Sequence, residues 1–301
     1  MNILSQRVLK NLIAFLFVGA SSAQAQNLFF RGLLTADAQE CRSLYNPQTP
    51  GYNTNLVAHW KMDGAAGVIT NGATLSSGFT GGPTATATIS SNSLSYTASG
   101  IINQGITANG TSADYISAGT PAALANLSAA TWMMWIKVTA GSAIKLFYKS
   151  DNNSSNGYFL LIDSDRKLKF AKVHNGSNLQ NFSSPLASAY FSNSWHQIVV
   201  TWNGTSTGTG AKLYMDGKEL VYDVADPRFD TSSGNGSYVQ NGTSGFASDA
   251  TSPFILLGSP ASTTTNPAAG AFSGTMDEFA VWNRVLNSTE IEKLYRHQKC
   301  N

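Results

Sequence analysis

Charge is scarce in this sequence. Asp, Glu, Lys and Arg make up 12% of its 301 residues, about half the usual share. The other marks of disorder are missing, because hydrophobic residues reach 42% and aromatics 11%. Such a chain can bury a core, which excludes wholesale disorder. Neither sign of charge is in excess. Nineteen basic residues face seventeen acidic ones, and two of the basic residues, Arg7 and Lys10, lie in an N-terminal stretch that holds no acid. The rest of the chain is neutral and has no basic run, which argues against nucleic acid or an acidic membrane as partner. No apolar stretch reaches the ~20 residues needed to span a bilayer.

Patterns that carry catalysis or metals are also missing. There is no G-x-S-x-G elbow, no H-E-x-x-H, no EF-hand loop and no Cys/His zinc spacing. The four histidines, His59, His174, His196 and His297, are scattered. His196, between Trp195 and Gln197, reads as a sheet residue rather than a base. Asp163 and Asp165 share strand parity, but their Asn/Ser-rich and Lys-rich flanks read as a turn. Only two cysteines occur, Cys41 and Cys300. Far apart in sequence, they would close a very long loop if bonded, and a bond is permitted outside the cytoplasm; two unpaired thiols are the alternative.

What is present begins with an address. Arg7 and Lys10 precede a short apolar run, Leu12 to Ala20, and then Ala23-Gln24-Ala25, a small-x-small cleavage site. Residues 1–25 therefore read as a secretory signal, and the expected location is periplasmic, cell-surface or extracellular. Residues 26–55 carry Pro47, Pro50, Gly51 and several Asn and read as an N-terminal arm. Residues 56–301 read as one β-rich domain, with no linker dividing it.

Strand signals recur along that domain. Leu56–Met62, Ala130–Val138, Ile144–Lys149, Tyr158–Asp163, Lys167–His174 and Trp195–Trp202 are apolar or alternating runs joined by turn residues. Leu213–Met215 and Glu219–Tyr222 flank Asp216-Gly217, a hairpin turn whose two central residues accept positive φ. Phe254–Leu257 and Phe272–Trp282 close the series. Short antiparallel strands at regular spacing predict an all-β sandwich. One helix is expected, with Asn287-Ser288 as cap, Glu290 and Glu292 in the first turn, and Ile291, Leu294 and Tyr295 on one face. The charge-free stretches Gly64–Ala113 and Ala250–Met276 resist strand assignment. The tryptophans fall in the strands and are expected in the core.

These segments, taken in order, resemble the laminin-G-like branch of the concanavalin A-like lectin/glucanase superfamily, in its bacterial secreted form. The resemblance rests on residues 59–64 with Gly67, on Gly110 with Asp114-Tyr115-Ile116, on Ser128–Ile136, on Trp195–Trp202, on Lys212–Gly217, and on Phe272–Phe279 with Trp282, Arg284, Leu286, Ser288, Glu290-Ile291 and Leu294-Tyr295. It implies an antiparallel jelly-roll sandwich whose first and last strands are adjacent, which would bring Cys41 and Cys300 within reach of each other. It implies a lectin-like domain, involved in adhesion or carbohydrate binding, that takes a glycan or a surface protein as partner. The E-x-D-x-x-E acid cluster of the glucanases on this fold is absent from the sequence, so the expected domain is not an enzyme. The resemblance also implies one structural calcium ion (Ca2+), with Asp63 and Asp277 as the matching acids; the alternative is that Asp63 caps a turn and Asp277 accepts backbone hydrogen bonds. The chain departs from the family pattern in a long insertion, Asp223 to Ser252. That insertion offers Asp226, Arg228, Phe229, Tyr238, Gln240 and Phe246, aromatic faces and polar groups suited to sugars. Its aromatics serve equally as a lid pinned to the sandwich. A rival role is structural: an envelope assembly protein that docks through Leu28, Phe29, Phe30, Leu33 and Leu34 of the arm.

Overall fold

The computed structural model describes residues 51–64, 67–68, 74–75, 87–90, 93–110, 114–138, 144–150, 156–174, 177–205, 210–223, 248–257 and 272–299. The described residues form a sandwich of two antiparallel sheets, with one helix. The sheets differ in what their outer faces meet.

The back sheet is built around two strands, β8 (Ala130–Val138) and β17 (Ser273–Trp282), which pair with each other. On one side of β8 lie β13 (Trp195–Trp202), β14 (Ala211–Met215) and β15 (Lys218–Glu219); beyond β17 lie β6 (Gly105–Asn109), β5 (Ser95–Thr97) and β2 (Gly67–Val68). The first strand, β1 (Leu56–Trp60), also pairs with β17, Trp60 opposite Phe279. The expected meeting of first and last strands is therefore observed. In the front sheet the order is β12 (Ser177–Phe182), β11 (Leu168–His174), β10 (Asn156–Ile162), β9 (Ile144–Ser150), β16 (Phe254–Leu256), β7 (Tyr115–Ser117), β4 (Ala87–Ser90) and β3 (Thr74–Leu75).

Alternation along each strand decides which residues fill the space between the sheets. From the back sheet Trp60, Trp132, Ile198, Val200 and Trp202 point inward; from the front sheet Phe147, Tyr158, Leu160, Phe170 and Phe254 meet them. Trp132 lies 4.8 Å from Tyr158 and 5.4 Å from Phe170 between ring centroids. The same packing links Trp60 to Phe254 and Phe279. Of the six tryptophans, five are fully buried, as expected.

The outer face of the back sheet is covered by α1 (Ser288–Gln298). Asn287 accepts the Glu290 N–H while Glu290 reaches back to the Asn287 N–H, a reciprocal cap at the predicted position. Ile291 and Leu294 bury against Met133, Val199 and Trp282, and Tyr295 stacks on Trp135 at 5.7 Å. Gln298 locks the far end by accepting from Trp135 Nε1 and Gln197 Nε2. The predicted turn at Asp216-Gly217 has φ of 53° and 77°. A side chain at Gly217 would come within 3.1 Å of Tyr295, so both the turn and the helix require glycine there.

The structure adds strands that the sequence pattern does not reveal. β2 to β6 fall in the charge-free stretch, and β12 has the composition of a loop. The post-hairpin strand is shorter than expected: β15 ends at Glu219, and Tyr222 makes an isolated bridge to Ser183. Asp163 lies just beyond β10, in a turn closed by Arg166 N–H to its carbonyl.

Candidate functional site

Three places in the fold concentrate chemistry. The first joins the two acids matched to a calcium site. A β-bulge interrupts β17 between Asp277 and Ala280, and Glu278 there has φ of 51°. The bulge re-aims both acids. Glu278 meets buried His59 at 2.8 Å. Asp277 turns to the loop before β6 and accepts the N–H groups of Ile101 (2.9 Å) and Ile102 (3.0 Å), with Glu278 N–H on its other oxygen (2.8 Å). Asp63 reaches the same loop, accepting Gln104 N–H at 3.1 Å and the Asn103 side-chain amide at 3.4 Å. The structure thus brings Asp63 and Asp277 together, with Gly100 to Gln104 between them. Burial, and then Glu278, push the Asp277 carboxyl up to about 9, against the pull of the backbone N–H groups. Calcium takes six to eight oxygen ligands. Here the carboxyl oxygens face N–H donors, and burial favours the neutral form of Asp277. These residues fit a calcium ion poorly. They fit the alternative in which Asp277 accepts backbone hydrogen bonds.

The second place is the stem of the long insertion. Asp226, Arg228, Phe229, Tyr238, Gln240 and Phe246 lie outside the described residues, as do Cys41 and Cys300. The two feet of the insertion are described, and both stand on the front sheet. At one foot Asp223 pairs with Lys167 at 2.9 Å and Val221 carbonyl accepts Ser184 N–H. At the other, Lys149 donates to the carbonyls of Asp249 and Ser252, both at 2.7 Å. Lys172 lies 3.3 Å from the Asp249 carboxylate, which also accepts Asn126 N–H. Lys149, Lys172 and Asp249 are all buried. Burial is the main force lowering both lysine pKa values, opposed by Asp249.

The third place went unrecognised in the sequence: the outer face of the front sheet. Register sets it out in rows. Ser117, Ile255, Tyr148, Phe159 and Ala171 stand opposite one another across five strands. The next row is Lys145, Leu161 and Lys169. Tyr148 and Phe159 are therefore neighbours on adjacent strands. Lys145 Nζ lies 4.8 Å from the Tyr148 ring centre, and Lys169 Nζ lies 5.4 Å from that of Phe159. A bulge opposite Leu160/Leu161 lets β9 keep Ile144, Leu146 and Phe147 in the core while Lys145 and Tyr148 face out. None of the eight strands of this sheet contains Asp or Glu.

Elsewhere, His196 Nδ1 pairs with Asp216 at 2.8 Å and its ring meets Tyr190 edge-on. This pair ties β13 to the hairpin turn, in keeping with a sheet residue.

The architecture defines the class: a concanavalin A-like β-sandwich. Residues 109–234 match the family model described as the concanavalin A-like lectin/glucanases superfamily. Among solved structures the chain is similar to domain 4 of AbnA, a GH43 extracellular arabinanase from Geobacillus stearothermophilus, in complex with arabinotriose. The identity is 14%, the TM-score 0.52, and the match covers 80% of this chain and 98% of that one. It is also similar to the binding domain of Paraclostridial Mosquitocidal Protein 1 (15% identity, TM-score 0.52, 80% and 52% covered). A further likeness is to the binding domain of botulinum neurotoxin serotype D/C (12%, 0.54, 82% and 53%). The chain spans about half the length of these two toxin domains. No curated protein sequence matches it. Among the described residues no helix is long and apolar enough to cross a membrane.

Proposed function

We propose that the protein is an exported, non-catalytic carbohydrate-binding module and that the outer face of the front sheet is its binding surface. One observation carries this reading: the aromatic side chain of Phe159 stands partly exposed on the sheet face away from the core, with partly exposed Leu161 on the same strand. Aromatic faces pack against the C–H patches of sugar rings, and nearby polar groups fix orientation. A rigid sheet holds such a site more firmly than a loop. The solved structures support a binding role. The AbnA domain is in complex with arabinotriose, and the toxin domains are binding domains. Glycoside hydrolysis commonly requires a pair of carboxyl groups flanking the scissile bond, and the front-sheet strands supply none. Export rests on the signal-like residues 1–25.

A glycan array tests the reading. The purified protein binds at least one class of oligosaccharide, the Phe159→Ala variant loses most of that binding while remaining folded, and no reducing ends are released on incubation. A folded protein that binds no glycan overturns it.

A further inference from the structure

We propose that Lys172 and Asp249 become joined by an amide bond after folding, with loss of one water, and that this bond ties β11 to the Asp249 foot of the long insertion.

The site is dry. Lys149 and Asp249 have no exposed surface, and Lys172 is 3% exposed. Lys172 Nζ stands 3.3 Å from Asp249 Oδ2, and Lys149 Nζ stands 3.7 Å from Oδ1. The ring centres of Tyr158 and Trp202 lie 5.3 and 5.5 Å from Lys172 Nζ. Two lysines thus share one carboxylate in an aromatic-lined interior. Burial lowers the pKa of both, which brings the amine form of Lys172 within reach. A lysine that is desolvated and next to another cation is an activated nucleophile.

The two oxygens of Asp249 stand in different surroundings. Oδ1 accepts the Asn126 N–H at 2.8 Å and faces the Lys149 ammonium. Lys149 is held there by donating to the carbonyls of Asp249 and Ser252, both at 2.7 Å. Asn126 is held by its side-chain oxygen, which accepts the Asp249 N–H at 3.1 Å. Oδ2 faces Lys172. One oxygen is therefore set among donors that stabilise negative charge, and the other lies next to the attacking nitrogen and its protons.

The reaction balances within the site. The Lys172 ammonium passes one proton to Oδ2, giving an amine and a carboxylic acid. The nitrogen lone pair attacks Cγ, the C–N bond forms, and the carbonyl π pair moves to Oδ1, where the Asn126 N–H and Lys149 stabilise it. A second proton passes from the nitrogen to Oδ2. The Cγ–Oδ2 bond breaks, water leaves, and the pair on Oδ1 restores the carbonyl. In bulk water the hydration of both ions opposes this condensation. Here that hydration is already lost, and the reacting groups are held together by the fold. The product replaces a buried ion pair with a neutral amide and leaves Lys149 facing three carbonyl oxygens.

The intact mass of the natural chain, reduced and unfolded, tests the bond. The expected mass lies below that of its sequence by one water. The tryptic digest is expected to contain a branched peptide in which Lys172 is uncleaved and joined to the segment carrying Asp249. Lys172→Arg keeps the charge but has the full mass and yields no branched peptide, as does Asp249→Ala. A natural chain of full mass overturns the proposal. So does a water lost elsewhere, with trypsin cutting after Lys172 as after an ordinary lysine. In Lys149→Met the branched peptide is expected to accumulate at least about tenfold more slowly; an unchanged rate would overturn the part given to Lys149.

Discussion

At the residue scale, the fold tolerates a buried cation, and its energetic signature is testable without any ligand. The Lys145 pKa is lowered from 10.5 to about 8 by burial. The folded state therefore resists protonation more than the unfolded chain does. Below about pH 8 both states are protonated and the full penalty applies; above pH 10.5 both are neutral and it vanishes. Between these limits the unfolded chain holds more protons, so stability rises with pH. The size is roughly 3 kcal/mol. Lys149 and Lys172 are shifted the same way, so the comparison has to be made against a variant. Lys145→Met is expected to be more stable than the natural chain by a few kcal/mol in urea at pH 7, with the gap closing by about pH 10.5; a gap independent of pH would contradict the assignment. How far such residues are legible in sequence depends on what they must be compared with. Asp63 and Asp277 are picked out by the family resemblance alone, and the structure does bring them together. Their partners are backbone N–H groups of a loop, which leave no sequence trace. Lys145 looks like an ordinary polar position in an alternating strand. The trace it does leave is collective: β9, β10 and β11 carry four lysines and no acid, visible only once these strands are known to be neighbours.

At the element scale, what matters is what holds each strand in place. β8, β13 and β17 are buried on both faces because the aromatic core lies on one side and α1 on the other, and the continuous apolar run of β8 is easily read. The Ser/Thr/Gly-rich strands β2 to β6 have little periodicity of their own. Their neighbours fix them, so single-sequence patterns miss them. The loop before β6 shows how an element with little apolar content is anchored. Asp277 holds Ile101 and Ile102 by their N–H groups, and Asp63 holds Gln104 and Asn103. Removing a buried acceptor leaves its donors unsatisfied, at about 1–3 kcal/mol for each group so stranded. Asp277→Ala is therefore expected to lose several kcal/mol and Asp63→Ala, which is more exposed, about 1 kcal/mol, as read by chemical denaturation. Because N–H donors already occupy the oxygens of Asp63 and Asp277 and burial favours the neutral form of Asp277, neither added calcium nor a chelator should move the melting temperature of the natural chain. A rise with calcium that disappears in Asp277→Ala would show that the loop rearranges around an ion instead.

At the scale of the whole molecule, the ends of the described chain converge. β1 runs beside β17, and the segment just before β1 is bound to the last residue of β17 and to the turn beyond it: Trp282 Nε1 donates to Tyr52 carbonyl at 2.6 Å and Arg284 Nε to Thr54 carbonyl at 2.9 Å. Arg284 in turn pairs with Glu290 in the first turn of α1, so one residue joins both chain ends to the helix. Cys300 follows the helix by two residues and Cys41 precedes Gly51 by ten. An extended segment of that length covers up to ~33–36 Å, more than the ~16 Å length of the eleven-residue helix. Geometry therefore permits a Cys41–Cys300 bond, and an exported chain would meet conditions in which it forms. Closing nearly the whole polypeptide into one loop would restrict the unfolded state strongly, by roughly 5–6 kcal/mol in the chain-entropy account. One intact-mass measurement on the product recovered outside the cytoplasm tests address and bond together. The mass is expected to correspond to a chain starting at Gln26 and lacking two thiol hydrogens, besides the water of the Lys172–Asp249 amide, with no thiol reactive after unfolding and a lower melting temperature after reduction. Two titratable thiols on a correctly cleaved chain would remove the bond and leave the address; an uncleaved cytoplasmic product would remove the address, and with it the oxidising surroundings on which the bond depends.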